Sequence, residues 1–237
     1  MVLTIMEPLL RGLLVLLCLL TVEPTEYVNE NATQGKIPSR FCNVYKHVAT
    51  VAGTGGSKNI SFWHPNCPFE GYYSLGDVVK RGPGQPMTWA LMVKEESNGL
   101  LKHPQGFREL WKKRNHGAKT EIKILEMECS NGYKALGNVV IKGYNPHPDW
   151  HRYRCVNESL LVHGKSEFIL SLTDEFGAWE IEADHAVSTD GLSAGTFIIM
   201  TNHPEHMERV YVLNEYKVML KQHASLQSND SEDVLYN

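Results

Sequence analysis

Histidine suits metal binding and acid–base work near neutral pH, and this chain carries 11 of them. Two groups have ligand-like intervals: His203-Pro204-Glu205-His206, and His147-Pro148-Asp149-Trp150-His151 with a carboxylate between its histidines. On a helix those intervals would bring two imidazoles to one face, where with a carboxylate they would suit zinc and an activated water. The prolines place both groups in loops, where the interval no longer fixes geometry. Solvent-exposed loop histidines are the expectation, with no metal or other cofactor. A metal-dependent hydrolase using His203 and His206 is the competing reading.

Nucleophilic catalysis finds no foothold, because no Gly-x-Ser-x-Gly elbow occurs and no Cys–His pair stands in a recognisable setting. The glycines of Ala52-Gly53-Thr54-Gly55-Gly56-Ser57 lack the Gly-Lys-Ser/Thr that would hold phosphates, and they read as a surface turn. We therefore expect a protein that binds and does not catalyse. Two stretches could bind. Phe107 to Arg114, a helical turn or basic loop at the edge of the fold, surrounds Trp111 with Arg108, Lys112, Lys113 and Arg114. The turn from Tyr144 and Asn145 to Asp149 joins an aromatic ring to short polar side chains. Aromatic and basic groups together dock anionic lipid headgroups, and aromatic rings beside Asn or Asp stack on sugars.

The elements that must position these residues announce themselves by repetition. Gly71-Tyr72-Tyr73-Ser74-Leu75-Gly76-Asp77-Val78-Val79-Lys80-Arg81-Gly82 returns as Gly132-Tyr133-Lys134-Ala135-Leu136-Gly137-Asn138-Val139-Val140-Ile141-Lys142-Gly143, with 132 − 71 and 143 − 82 both equal to 61. Trp89 meets Trp150 at the same offset. A fainter third copy follows when Gly195 is laid on Gly137, an offset of 195 − 137 = 58 that matches Phe197-Ile198-Ile199 to the same apolar strand. Self-similarity at a fixed period marks a supersecondary unit that cannot close its own core, so three such units favour one domain. Short apolar runs broken by Gly, Pro and Asn from Ile60 to Tyr216 make the chain all-β. Within the repeat, Gly76, Gly137 and Gly195 are read as bulge or positive-φ positions, Asp77, Asn138 and Thr196 as local backbone hydrogen-bonders, and Trp89 and Trp150 as core plugs.

Bulk properties narrow the setting. A net charge of −4 lacks the basic footprint that nucleic acid demands, so no nucleic-acid partner is expected. The apolar run from Gly12 to Val22 is too short to span a bilayer and stops at a polar segment, as a signal peptide over 1–24 would. The mature chain should be secreted and extracellular. Without Cys18, the cysteines Cys42, Cys67, Cys129 and Cys155 suggest two disulfides with three pairings open. Sequons at Asn31, Asn59, Asn157 and Asn229 would accept glycans. Residues 25–59 read as a polar lead-in with a first strand, 60–217 as the single domain, and 218–237 as a flexible tail.

Phe62-Trp63-His64-Pro65, the two Gly-Tyr-x-x-Leu-Gly-x-Val-Val segments, Arg154-Cys155-Val156 and Gly195-Thr196-Phe197 together resemble the vacuolar protein sorting-associated protein 62 family over roughly Ile60 to Leu213. The resemblance implies a β-prism of three antiparallel sheets with a pseudo-threefold internal repeat, related to membrane-binding prisms. Membrane lipid headgroups or glycans are the expected partners, with another secreted protein, as in a toxin or defence complex, as a further alternative.

Overall fold

The computed structural model describes residues 35–51, 59–96, 98–114, 121–143, 147–173, 176–201 and 210–221, apart from the side chains of residues 114 and 201. All of them fall in one compact unit, Gly35–Asn237. The described residues form strands joined by turns and three short 3₁₀ segments.

The first part of the chain supplies β1 (Ile37–Cys42), β2 (Tyr45–Val51), β3 (Ile60–Pro65), β4 (Tyr72–Tyr73), β5 (Val78–Arg81) and β6 (Ala90–Lys94). The second supplies β7 (Leu101–Lys102), β8 (Gly106–Arg114), β9 (Glu121–Glu128), β10 (Tyr133–Lys134), β11 (Asn138–Gly143) and β12 (Cys155–Asn157). The third supplies β13 (Leu161–Ser171), β14 (Phe176–Ala183), β15 (Gly191–Leu192), β16 (Phe197–Thr201), β17 (Tyr211–Asn214) and β18 (Val218–Leu220). The sheet orders are β2-β3-β5, β18-β1-β6-β4, β8-β9-β11, β10-β12-β7 and β15-β17-β13-β14-β16. The echoed sequences adopt echoed structure: β4 and β10 are the repeated Gly-Tyr strands, and β5 and β11 the repeated Val-Val strands. The strands β2, β8 and β13 each carry a register shift against their inner neighbour, at His47/Ala49, Glu109/Trp111 and Phe168/Leu170. Such bulges sharpen twist where a sheet must curve over a core.

β-Branched and aromatic residues suit these strands because their stiff side chains pack well on a pleated surface. One cluster joins inward faces from all three parts of the chain, including Phe62, Val79, Trp111, Ile124, Val140, Leu170 and Phe197. A second gathers Ile37, Leu91, Leu101, Leu136, Val156, Leu213 and Val218. Each fully buried large apolar side chain contributes about 1.5–3 kcal/mol, so these shared clusters hold the units together.

At the centre the repeated turns touch one another. A Cβ on Gly137 would lie 2.7 Å from the Thr196 Cβ, and one on Gly76 only 2.8 Å from the Gly137 Cα. Close approach of three chains is therefore what the Gly137 position requires, and its φ is not positive. Gly195 is both crowded, since a Cβ there would lie 2.7 Å from the Trp89 carbonyl oxygen, and left-handed at φ +71.

Several expectations are corrected. Residues 106–114 form the full strand β8, because Trp111 and Leu110 gain more by packing into the core than a loop would allow. The sheet reaches into the expected tail, where β18 pairs in parallel with β1, and the lead-in, where one strand was expected, holds both β1 and β2. Trp89 and Trp150 do not plug the core, being 49% and 47% exposed. One disulfide is formed where two were expected, Cys129–Cys155, while Cys42 and Cys67 are thiols. These two thiols are neighbours, and burial, then a hydrogen bond with Cys42, push the Cys67 thiol up to about 12.

Candidate functional site

A polar hollow lies where β2 and β3 meet β11 and the segment 147–153. Lys46, His47, His64, Lys142, His147, Asp149, Arg152 and Tyr153 line it, around a volume of about 390 Å³. The register shift of β2 at His47/Ala49 leaves the adjacent Lys46 and His47 both exposed, and Lys142 is exposed beyond the buried Val139 and Val140 of β11.

The floor is a buried polar network. Asp77, wholly buried, accepts the Val140 N–H at 2.7 Å on one oxygen and the Tyr153 hydroxyl at 3.1 Å on the other. His64 Nδ1 lies 2.8 Å from the same oxygen as Tyr153. A carboxylate can only accept, so Nδ1 carries the proton and Nε2 is left for the cleft. Three donors explain how an aspartate survives burial that would cost several kcal/mol if it were unpaired. Burial and then the Asp77 charge hold the Tyr153 hydroxyl well above its ordinary range, so it remains a donor. Asp77 thus hydrogen-bonds backbone, as its turn setting suggested, but across 63 residues of chain and not locally.

The cleft rim is cationic. Lys46, Lys142 and Arg152 surround it, and its one carboxylate, Asp149, already meets Arg152 Nε at 2.8 Å. A positive concavity on a chain of net charge −4 concentrates a favourable field for anions in one place.

A second hollow, about 450 Å³, shares His147 with the first and is walled by Pro104, Gln105, Phe107, Pro148 and Trp150. Trp150 begins a 3₁₀ segment, Trp150–Arg152, and its ring rests against His151 (4.3 Å between centroids) and edge-on to His103 (5.3 Å). Beneath them Arg154, 2% exposed, stacks on Tyr73 at 3.4 Å and meets Glu95 at 2.6 Å. It also donates to the carbonyls of His151 and Tyr153 and to His103 Nδ1 at 3.0 Å. A guanidinium only donates, so His103 accepts there and carries its proton on Nε2.

The expected binding residues separate. Asp149 lines the cleft. Trp111 is 9% exposed within the core and offers no face to a ligand. Arg108 pairs with Glu126, and Lys112 with Glu109 at 3.3 Å. Lys113 also has an interaction partner. Arg114 ends β8, with its side chain outside the described residues. Tyr144, Asn145, the sequons at Asn31 and Asn229, and His203 and His206 also lie outside them. Asn59 is exposed before β3, and the Asn157 side chain accepts the Ser159 N–H within its own sequon. Among the described residues no cluster of three or more His, Cys, Asp or Glu side chains could hold a metal ion. The His64–Asp77–Tyr153 network escaped sequence reasoning, although its signal was present: the carboxylate occurs in one copy of the repeat only.

A family model described as vacuolar protein sorting-associated protein 62 matches residues 23–231. No curated protein matches the chain. Among solved structures, the crystal structure of GNIP1Aa from Chromobacterium piscinae is similar, with a TM-score of 0.63 and 18% identity over 78% of this chain. The match spans 38% of that protein's length, and the likeness is one of fold.

Proposed function

We propose that this chain, which belongs to the vacuolar protein sorting-associated protein 62 family, acts by binding an anionic group on a membrane surface or glycan, without catalysis. The observation that carries this reading is the cleft whose rim holds Lys46, Lys142 and Arg152 against one carboxylate that is already paired. In the same reading the molecule is a secreted β-prism of three repeated units, stabilised by the Cys129–Cys155 disulfide and glycosylated at its sequons. The three bulged strands and the meeting of Gly76, Gly137 and Thr196 support the threefold arrangement.

The basic residues of β8 are weaker candidates, because Arg108, Lys112 and Lys113 already have partners. A His64–Asp77 dyad facing a cleft also favours a second reading, general acid–base hydrolysis. Among the described residues the cleft lining supplies no serine, threonine or cysteine to serve as nucleophile, so that chemistry would fall to water. The test is flotation with vesicles of acidic lipid, beside an array of acidic and neutral glycans, for the wild type and the Lys46→Glu/Lys142→Glu variant. Binding to one anionic class, weakened about tenfold or more by the charge reversals, is expected for two lost phosphate- or sulfate-type contacts. Equal binding by wild type and variant, or hydrolysis of a chromogenic ester or phosphate abolished by His64→Gln, defeats the reading.

A further inference from the structure

We infer that the ligand is an acidic saccharide, with one sugar ring stacked on Trp150 and its sulfate or carboxylate seated in the neighbouring cleft; this rests on the anion-binding reading above. The two hollows adjoin, because His147 borders both and the segment 147–153 walls each of them. Their volumes, about 390 and 450 Å³, fall in the lower range for small-molecule sites.

Trp150 is the reason to choose a sugar. An exposed tryptophan normally leaves a core position or fills an interface, yet this one is half exposed and held in place. His103 and His151 brace its ring. Its amide donates to the Pro148 carbonyl at 3.0 Å, and its own carbonyl accepts from Tyr153. The support below is buried: Arg154 holds His103 through Nδ1 and the backbone of His151 through its carbonyl. A ring so fixed loses little entropy on binding, and its electron-rich face suits the C–H groups on the apolar side of a pyranose. His103 Nε2–H, the proton that Arg154 assigns, supplies a donor beside the ring for a hydroxyl.

The anionic substituent is the reason to add charge. A neutral sugar would leave the cations of the adjoining cleft unused, whereas a sulfate or carboxylate one ring away would meet Lys46, Lys142 and Arg152. A lipid bilayer is the poorer fit, because it offers no flat apolar ring face to a single upright indole braced by two histidines.

The test uses the full chain and a heparin-derived tetrasaccharide, its desulfated counterpart, inorganic sulfate, and phosphatidylcholine vesicles containing phosphatidylserine. Calorimetry and tryptophan fluorescence read binding to each. We expect the sulfated tetrasaccharide to bind and to quench fluorescence, Trp150→Ala to weaken it about tenfold as expected for losing one aromatic stack, and Trp150→Phe to restore part of that loss. Inorganic sulfate should bind both proteins equally. Loss with Lys142→Glu but none with Trp150→Ala overturns the saccharide inference and spares the anion cleft. Binding to the vesicles but not to the tetrasaccharide overturns it likewise, and binding unmoved by either variant overturns both readings.

Discussion

Asp77 and Asn138 occupy the same place in the two clear copies of the repeat, and each reaches across to an amide of the following unit. Asp77 accepts the Val140 N–H at 2.7 Å and Asn138 the Ile199 N–H at 2.6 Å. In the third copy Thr196 turns the bond around and donates to the Leu136 carbonyl. Holding one unit to the next therefore needs only a short polar side chain. The difference lies opposite the turn. Asp77 has His64 and Tyr153 beside it, whereas the strand residue across from Asn138 is Glu126, which turns outward to Arg108. A charge that joining the units does not require, placed where two extra donors meet it, marks where the scaffold was adapted for something else.

Exchanging the two side chains tests this contrast most severely. Asn138→Asp should bury a carboxylate with the Ile199 N–H but without the two side-chain donors, His64 and Tyr153, that Asp77 enjoys, and cost about 3–5 kcal/mol, the range for an inadequately compensated buried charge. Asp77→Asn keeps an acceptor for Val140 and should cost about 1–2 kcal/mol. Urea midpoints measure both, and equal costs would mean that the two turns are chemically alike.

The cysteines sharpen the comparison at the next level. Cys67 and Cys129 both fall just before the repeated Gly-Tyr, yet Cys129 bridges to Cys155 while Cys67 stands beside Cys42. Oxidative refolding should join Cys42 to Cys67, closing a loop of 67 − 42 = 25 residues and adding about 3 kcal/mol. Non-reducing peptide mapping would show the bridge, and a Cys42–Cys67 pair still alkylated in full after oxidation would contradict it.

The smallest effect belongs to Tyr153. Tyr153→Phe removes one donor to Asp77 and should cost about 1 kcal/mol at neutral pH. Its proton is held more tightly in the folded state than in the unfolded chain, so the contribution is intact below pH of about 10 and fades as pH rises beyond that. Wild type should therefore lose stability above pH of about 10 more steeply than the variant, and parallel midpoints from pH of about 7 to 11 would argue against the network.

Much of the scaffold was legible because repetition constrains whole segments at once: the 61-residue offset foretold that β4 and β5 would recur as β10 and β11. Strand β8 was misread because its lysines and arginines mask the residues that pack inward, Phe107, Leu110 and Trp111. Trp150 looked like a core plug for the converse reason, since repetition says where a residue recurs and not which way it faces. The cleft stayed hidden because Lys46, His64, Lys142 and Arg152 come from four separate elements, and only the fold makes them neighbours. Asp149 was found because its turn reaches the surface on its own.

The parallel pairing of Ile37–Ser39 with Val218–Leu220 has a consequence for biosynthesis. These partners lie 218 − 37 = 181 residues apart, so a chain emerging from the ribosome carries β1 with an unfilled edge until the whole stretch between them has been made. Contacts of such separation are slow to form, and open edges recruit other chains. Nascent copies should thus be most vulnerable to clumping, and most dependent on chaperones, in the interval just before β18 arrives.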